Sequence, residues 1–463
     1  MVIGMENMEM DFNIKLPDEV SFILERLMQH GYEAYAVGGC VRDSMLGLEP
    51  KDWDITTSAA PKQVKELFAH TIDTGLQHGT VTVMCGHTGF EVTTYRIDGE
   101  YEDGRHPNEV IFTASLLEDL KRRDFTVNAM AYNPQDGLVD AFDGAGDLKK
   151  GIIRCVGNPM DRFHEDALRM LRAVRFSAQL DFAVDSATCS AIRALAVNLN
   201  KISAERIQTE LVKLAVSQNP QRMRMLYELG ISKVILPEFD RMMETEQNHP
   251  HHCCSVGEHT IRGMCNAAPD KVLRLTMLFH DIAKPQCRTT DEDGLDHFHG
   301  HPAQGALIAR QIFRRLKFDR DTMDAVCALV RWHDYNPPLT EENVRRAIIK
   351  VGTAQYPALF AVKRADILAQ SDFKRLEKLQ YVDDYEKMYE HILAQGDCLS
   401  LKQLAVSGRD LMELGIAQGK QIGEILHMLL EQVVADPDKN DRAYLIKQVK
   451  DYLADDTDEK LSG

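Results

Sequence analysis

Residues 36–55, AVGGCVRDSMLGLEPKDWDI, place the tightest constraint on what this chain can fold into. The apolar lead Tyr35 to Val37 reads as a strand, and Gly38-Gly39 then lets the backbone approach a ligand with no Cβ in the way. Such a turn presents N–H groups to an anion, and Arg42, three residues on, can fork two phosphate oxygens. The run Asp52-Trp53-Asp54-Ile55 alternates polar and apolar, which predicts a half-buried strand with both carboxylates on one face. Two parallel carboxylates suit Mg²⁺, which takes oxygen ligands and keeps water and substrate phosphates in its shell. An isolated Asp-x-Asp is more often a solvated pair on an edge strand; the Gly-Gly-x-x-Arg turn just upstream favours a two-ion phosphoryl-transfer site instead.

With GGCVRD followed by DWD, the chain resembles the nucleotidyltransferase superfamily of DNA polymerase beta. Within it, the resemblance is to the class II (bacterial-type) tRNA nucleotidyltransferases, or CCA-adding enzymes, and their poly(A) polymerase relatives. It implies an α+β protein, with a small mixed-sheet nucleotidyltransferase head followed by all-α neck, body, HD and tail domains. The corresponding ranges are 1–150 for the head, 151–248 for a base-recognising neck and body, 249–370 for the HD-type metal domain and 371–463 for a tRNA-binding tail. A chain of 463 residues exceeds what one core normally serves.

Around the first motif, Val20, Ile23, Leu24 and Leu27 predict an amphipathic helix within Pro17 to His30. A second helix is expected from Pro61 to Phe68, and strands at Thr80–Met84 and Phe90–Arg96 with Gly86 and Gly89 in the turn between them. Glu91 lies where the superfamily takes a third carboxylate from the strand beside the first pair; an exposed strand glutamate is the competing reading. Arg96 to Val110 is polar and too long for a tight turn, so it reads as a mobile loop. In CCA-adding relatives that loop serves the final adenosine step, and Asp103, Arg105 and Pro107 argue against an enzyme that adds only cytidines.

LKRRDFTVNAMAY (120–132) resembles the second motif. Asp124 is expected to cap a helix bearing Asn128 and Met130, with Arg122 and Arg123 at an anion-favouring helix start; the resemblance implies triphosphate and ribose contacts by Arg123, Asp124 and Asn128. DAFDGAGDL (140–148) looks like the linker motif, with hinge glycines. DRFHEDALRMLRAVRF (161–176) predicts one helix with Asp166, Arg169 and Arg172 spaced i, i+3, i+6, which alone suggests an internal ion pair. EDxxR in CCA-adding enzymes selects the incoming base by protein side chains. Cytosine and adenine both show an amino donor beside a ring-nitrogen acceptor, so a carboxylate at Asp166 and a guanidinium at Arg169 would accept C and A and reject G and U. Ile202 to Leu214, with Ser203 as cap and Glu205 and Arg206 in its first turn, reads as scaffolding for that helix.

Histidines crowd from His249 onward: HPHHCC, then VGEHT, LFHDIAKP and His297, His299, His301, His333. Adjacent His-Asp in an apolar helix resembles the HD phosphohydrolases, with His259, His280, Asp281 and Asp366 as metal ligands and His301 and His333 extending the site to a second ion. Imidazoles with carboxylates suit Mn²⁺, Fe²⁺ or Ni²⁺ better than Mg²⁺. Cys253 and Cys254 beside His251 and His252 suggest zinc only weakly, because adjacent cysteines rarely ligate one ion. In the tail, Lys402, Arg409 and Lys420 are phosphate-contact candidates, with solvated lysines the plainer reading.

Taken together, the motifs predict template-independent addition of C, C and A to the 3′ end of tRNA from CTP and ATP. Poly(A) polymerase, an A-only enzyme, and an HD phosphohydrolase with an inactive head are the alternatives. With 71 acidic against 54 basic residues the net charge is −17, which opposes nonspecific coating of nucleic acid but permits a local basic face. Ten cysteines without a CxxC pair, no signal-like N-terminus and no apolar run of membrane length point to a cytoplasmic address, with no membrane and no obligate protein partner. The last residues, ADDTDEKLSG, are expected to be disordered.

Overall fold

The computed structural model describes residues 14–76, 79–98 and 110–461. The chain forms two compact units, residues 1–241 with 315–317, and residues 242–314 with 318–463.

In the first unit, helix α1 (Asp18–Gln29) buries Val20, Ile23, Leu24 and Leu27, the stripe its 3.6-residue period predicts. These pack with Ile55, Val81, Val83 and Val92 from the sheet. Strand β1 (Ala34–Val37) leads through Gly38 into α2 (Gly39–Met45); then come β2 (Ile55–Thr57), α3 (Pro61–Leu67), β3 (Thr71–Gly75), β4 (Thr80–Cys85) and β5 (Thr88–Thr94). With β8 (Ala131–Asn133) and β9 (Gly137–Val139) they make a seven-stranded sheet of order β3-β4-β5-β2-β1-β8-β9. Only β2 and β5 run parallel, with Ile55 opposite Val92; β1 is antiparallel to β2 and β8. The mixed sheet expected for the head is therefore present.

Within the head, three expectations are corrected. Asp52 to Asp54 lie before the strand, which begins at Ile55; the ladder reaches them only through Val37 N–H donating to Asp54 O at 2.9 Å. The expected loop 96–110 has paired ends, β6 (Arg96–Asp98) against β7 (Val110–Phe112); Asp103, Arg105 and Pro107 lie outside the described residues. After α4 (Leu116–Lys121), the segment RRDFTVNAM forms a single 3-10 turn, Thr126–Asn128, with no side-chain cap, so Asp124 caps no helix.

Beyond α5 (Gly144–Lys150), a two-strand pair β10 (Ile152–Ile153) and β11 (Ala183–Val184) brackets the neck helices. The single helix expected over 161–176 is two helices, α6 (Pro159–Glu165) and α7 (Leu168–Leu180). Asp166 breaks it: its backbone is extended at φ −143°, ψ 104°, and its Oδ1 accepts from Leu168 N–H at 3.0 Å, a capping bond that restarts the chain as α7. Helices α8 (Ser186–Leu195) and α9 (Ala204–Ala215) follow, and Ser203 precedes α9 without a side-chain cap bond.

Among its described residues the second unit is helical apart from one small hairpin, Thr289–Thr290 against Asp296–His297, which the all-α expectation did not include. Its main helices are Val256–Asn266, Lys271–Phe279, His301–Arg315, Arg320–Trp332, Glu341–Val351, Tyr356–Ala369 and Arg375–Gln395. His280 and Asp281 stand just past the end of Lys271–Phe279, not within it. The tail holds Gly408–Glu413 and the longer Lys420–Ala435 around Gly415 and Gly419, then a helix Arg442–Leu461 that continues through most of the segment expected to be disordered.

Candidate functional site

The head site is built on the turn that joins β1 to α2. Gly38 has φ +82° and ψ −125°, a conformation open only to glycine, and a Cβ there would sit 2.9 Å from Arg123 Nη1. The parallel β2–β5 register sets Glu91, one residue before Val92, level with Asp54, one residue before Ile55. Asp52, Asp54 and Glu91 all open to solvent. Partial burial raises the Asp54 pKa, Arg123 opposes this, and Asp52 adds to it; the Glu91 pKa is raised by burial, then by Asp54 and Asp52. The three carboxylates therefore share one patch and repel each other, the electrostatic condition that a bound cation relieves.

The cations nearby are held by named partners. Arg42 is buried; its Nε donates to Asp43 Oδ1 at 2.8 Å and its Nη1 to Asn128 Oδ1 at 2.5 Å. Asn128 in turn donates to Asp124 Oδ1 at 3.1 Å, while Asp124 Oδ2 receives Arg172 Nε at 2.8 Å and Nη2 at 2.6 Å. Burial pushes the Asp124 carboxyl up, but Arg172 and Asn128 outweigh it and hold it down at about 2. Buried Asp119 receives Arg122 Nε at 3.0 Å, lies 3.6 Å from Arg123 Nη2 and accepts from Thr56 Oγ1 at 3.1 Å. Gly38, Gly39, Arg42, Arg123, Asp124, Asn128 and Arg172 are thus tied into one region by direct contacts.

Asp166 and Arg169, expected as neighbours on one helical face, lie on either side of the helix break and each has its own counter-ion. Asp166 is gripped by Arg206 of α9, at 2.6 Å from Nη2 and 3.2 Å from Nη1. Arg169 Nη1 donates to Glu165 Oε2 at 2.5 Å and its Nη2 to Arg122 O at 2.9 Å. Glu210 of α9 receives Arg175 Nε at 2.8 Å and lies 3.6 Å from Arg172. Arg206, expected only as scaffolding, and Asp119, Glu165 and Glu210, not among the expected site residues, supply these counter-ions. The i, i+3 and i, i+4 spacings of Asp119–Arg122–Arg123 and Glu165–Arg169 are a readable signal, whereas Arg206 and Glu210 meet partners on another helix that no local spacing marks.

The second unit brings together every histidine and aspartate expected of its metal site. His259 Nε2 lies 2.8 Å from Asp366 Oδ1 and 3.2 Å from His280 Nε2, which is 3.2 Å from Asp281 Oδ2. The other oxygen, Asp281 Oδ1, is 3.3 Å from His301 Nε2 and 3.7 Å from His333 Nε2. Two buried trios, His259/His280/Asp281 and Asp281/His301/His333, therefore share one carboxylate. The Nδ1 atoms of His280, His301 and His333 each bond a backbone carbonyl (Met277, Phe298, Val330) at 2.7–2.8 Å, which turns each Nε2 inward. Burial works against a charged His280, yet Asp281 and Asp366 drive its pKa up to about 10, so the pocket favours a cation. A cavity of about 630 Å³ opens onto this cluster, with Lys284, Lys363 and Lys378 among its walls. Among the described residues Cys253 and Cys254 join neither trio, and Cys253 instead receives Arg262 Nη1 at 3.0 Å. In the tail, Lys402 and Arg409 are exposed and Lys420 pairs with Glu424 at 2.9 Å.

Three family descriptions match the chain: Poly A polymerase head domain over residues 34–154, probable RNA and SrmB-binding site of polymerase A over 181–243, and tRNA nucleotidyltransferase domain 2 (putative) over 303–449. The chain is 35% identical over 454 residues to the CCA-adding enzyme of Ligilactobacillus salivarius, covering 97% of this chain and 98% of that one. Its fold is similar to the crystal structure of Bacillus stearothermophilus CCA-adding enzyme in complex with CTP, at TM-score 0.72 and 28% identity, with 96% and 98% of the two chains covered. The Thermotoga maritima CCA-adding enzyme complexed with tRNA shares the fold at TM-score 0.56 and 21% identity, over 94% and 95% of the two chains.

Proposed function

The chain belongs to the CCA-adding enzymes, and from that membership we propose that it adds C, C and A in turn to the 3′ end of tRNA, taking them from CTP and ATP without a nucleic-acid template. The observation that carries the reading is the convergence of Asp52, Asp54 and Glu91 on one patch beside the Gly38 turn. Three carboxylates on one patch, two of them, Asp54 and Glu91, with raised proton affinity, fit divalent Mg²⁺. Bound there, Mg²⁺ would supply Lewis-acid activation of the tRNA 3′-hydroxyl and neutralise charge on the leaving pyrophosphate.

The chain's own residues do the rest. Gly38 and Gly39 admit the triphosphate close to the backbone, and Arg42 and Arg123 meet its charge. Asn128 and Asp124 hold Arg42 and Arg172 in place. Asp166 accepts from the amino group of C or A and Arg169 donates to the ring nitrogen. Arg206 and Glu165 hold those two side chains in place. Replacement of Asp54 by Asn tests the assignment: addition is expected to fall by a factor of a thousand or more, on the order of 4 kcal/mol, with tRNA binding intact. An active Asp54→Asn enzyme would refute it.

A second site is supported by the Asp281 carboxylate shared between two imidazole pairs. His259, His280, Asp281 and Asp366, with His301 and His333, fit a pair of Mn²⁺, Fe²⁺ or Ni²⁺ ions better than Mg²⁺ because most of the donors are imidazole nitrogens. With the lysine-walled cavity, this suits hydrolysis of a phosphate ester as a subsidiary activity. The head, neck and body, HD domain and tail divide the work at about residues 150, 248 and 370, with the tail holding tRNA through Lys402, Arg409 and Lys420. Ten free thiols suit a reducing, cytoplasmic setting. Among the described residues no helix is long and apolar enough to cross a membrane.

A further inference from the structure

Phe176 closes the EDALRMLRAVRF run and has no part in the chemistry described so far. It is 5% exposed and meets Phe125 edge to face, with ring centroids 5.8 Å apart. Three guanidiniums surround its ring: Arg175 at 3.6 Å from the centroid, and Arg42 and Arg172 each at 5.2 Å. Arg42 comes from α2, whereas Arg172 and Arg175 belong to α7. Like charges gathered so closely repel, and a saturated side chain of the same volume would do nothing to offset this. The electron-rich face of an aromatic ring attracts cations within about 6 Å. Carboxylates balance the other side of each arginine: Asp43 for Arg42, Asp124 for Arg172 and Glu210 for Arg175. Each guanidinium is therefore held between an acid and one shared ring.

We propose that Phe176 is a positioning residue for nucleotide binding: its ring fixes the Arg42 guanidinium beside the Gly38-Gly39 turn and couples it to Arg172 across the head–neck connection. The inference rests on Arg42 meeting the triphosphate. An arginine on four rotatable bonds loses affinity for phosphate when it must be ordered on binding, and a ring that orders it beforehand removes that cost. The residue contributes orientation and touches no reacting atom.

The test uses the full-length enzyme with tRNA lacking its terminal A or its terminal CA. Phe176 is replaced by 3,4,5-trifluorophenylalanine, which keeps the ring shape and drains its electron-rich face, and separately by Leu. Steady-state KM and kcat for CTP and ATP, thermal melting and C/A over U/G selectivity are measured for each. The trifluoro enzyme is expected to raise KM for CTP and ATP together by about 2- to 30-fold, with melting temperature, kcat and selectivity unchanged. Phe176→Leu should raise KM at least as much. An unchanged KM in a trifluoro enzyme of unaltered stability overturns the proposal, as does a defect confined to Phe176→Leu and matched by lost stability, which means packing alone. Arg42→Gln separates the premise from the inference. A raised KM there with an unmoved trifluoro enzyme sinks only the role of Phe176, while an unmoved Arg42→Gln enzyme removes both.

Discussion

Asp124 is the hub of the head's hydrogen-bond and ion-pair network: one oxygen serves Phe125 N–H and Asn128 and the other the Arg172 fork. Its folded pKa, about 2, lies below the ordinary aspartate value, so its contribution to stability is fully present above about pH 4 and is lost as pH falls through 2. The linkage is worth ~2 kcal/mol at pH 7 and about half of that at pH 3. Urea unfolding should show Asp124→Asn less stable than the parent at pH 7 by roughly that amount, with the gap narrowing toward pH 3; a pH-independent gap would contradict the ion-pair explanation. Asp166→Ala or Arg169→Ala should erode C/A over U/G selectivity by about 5- to 100-fold, the scale of one lost base-edge contact, while KM for triphosphate changes little. Incorporation ratios for all four nucleotides read this directly, and unchanged ratios would remove the base-reading role. At this scale the proposed reactive side chains could be named from the sequence because glycines, paired carboxylates and EDALR each carry chemistry in a short span. The partners Arg206 and Glu210 could not, because the Asp166 and Arg175 that they meet lie on elements that only the fold brings together, whereas the pairing of Asp119 with Arg122 is local.

Periodicity read regular elements well and irregular ones poorly. The stripe Val20, Ile23, Leu24 and Leu27 gave α1 within a residue or two, and β4 and β5 appeared nearly where alternation put them. DWD alternates like a strand but stands before one, and EDALRMLRAVRF has uninterrupted helical propensity yet breaks at Asp166, where a side-chain-to-backbone bond competes with the helix. Both departures fall at proposed site residues, where local preference yields to the placement of a carboxylate. The Gly38 turn is the element most exposed to test. Gly38→Ala forces a side chain into φ +82° and against Arg123, and is expected to cost on the order of 1–3 kcal/mol and to raise KM for both nucleotides. Chemical unfolding and steady-state kinetics check it; a fully stable variant with ordinary KM would show that the turn is not constrained as described.

At the level of the whole molecule, two compact units each hold one cluster of carboxylates, and their chemistry differs in kind. The head offers oxygen alone, while the second unit offers mainly imidazole, so the two should sort cations by softness. Elemental analysis of protein purified without added metal should find transition metal that Asp281→Asn largely removes, with CCA addition in Mg²⁺ preserved. Loss of CCA addition together with the metal would mean the two clusters do not act independently. The order of motifs along the chain made the head and the HD cluster legible; the two-strand hairpin beside the HD cluster was not, since each of its strands spans only two residues and gives no alternation to read.

The most direct test of the central claim gives the purified enzyme Mg²⁺ and three tRNA transcripts, ending before the first C, before the second C and before A, with CTP, ATP or both. Extension of all three to CCA, followed by arrest, is the predicted result. Long A tails, A-only extension, or no extension by well-folded protein would each contradict it.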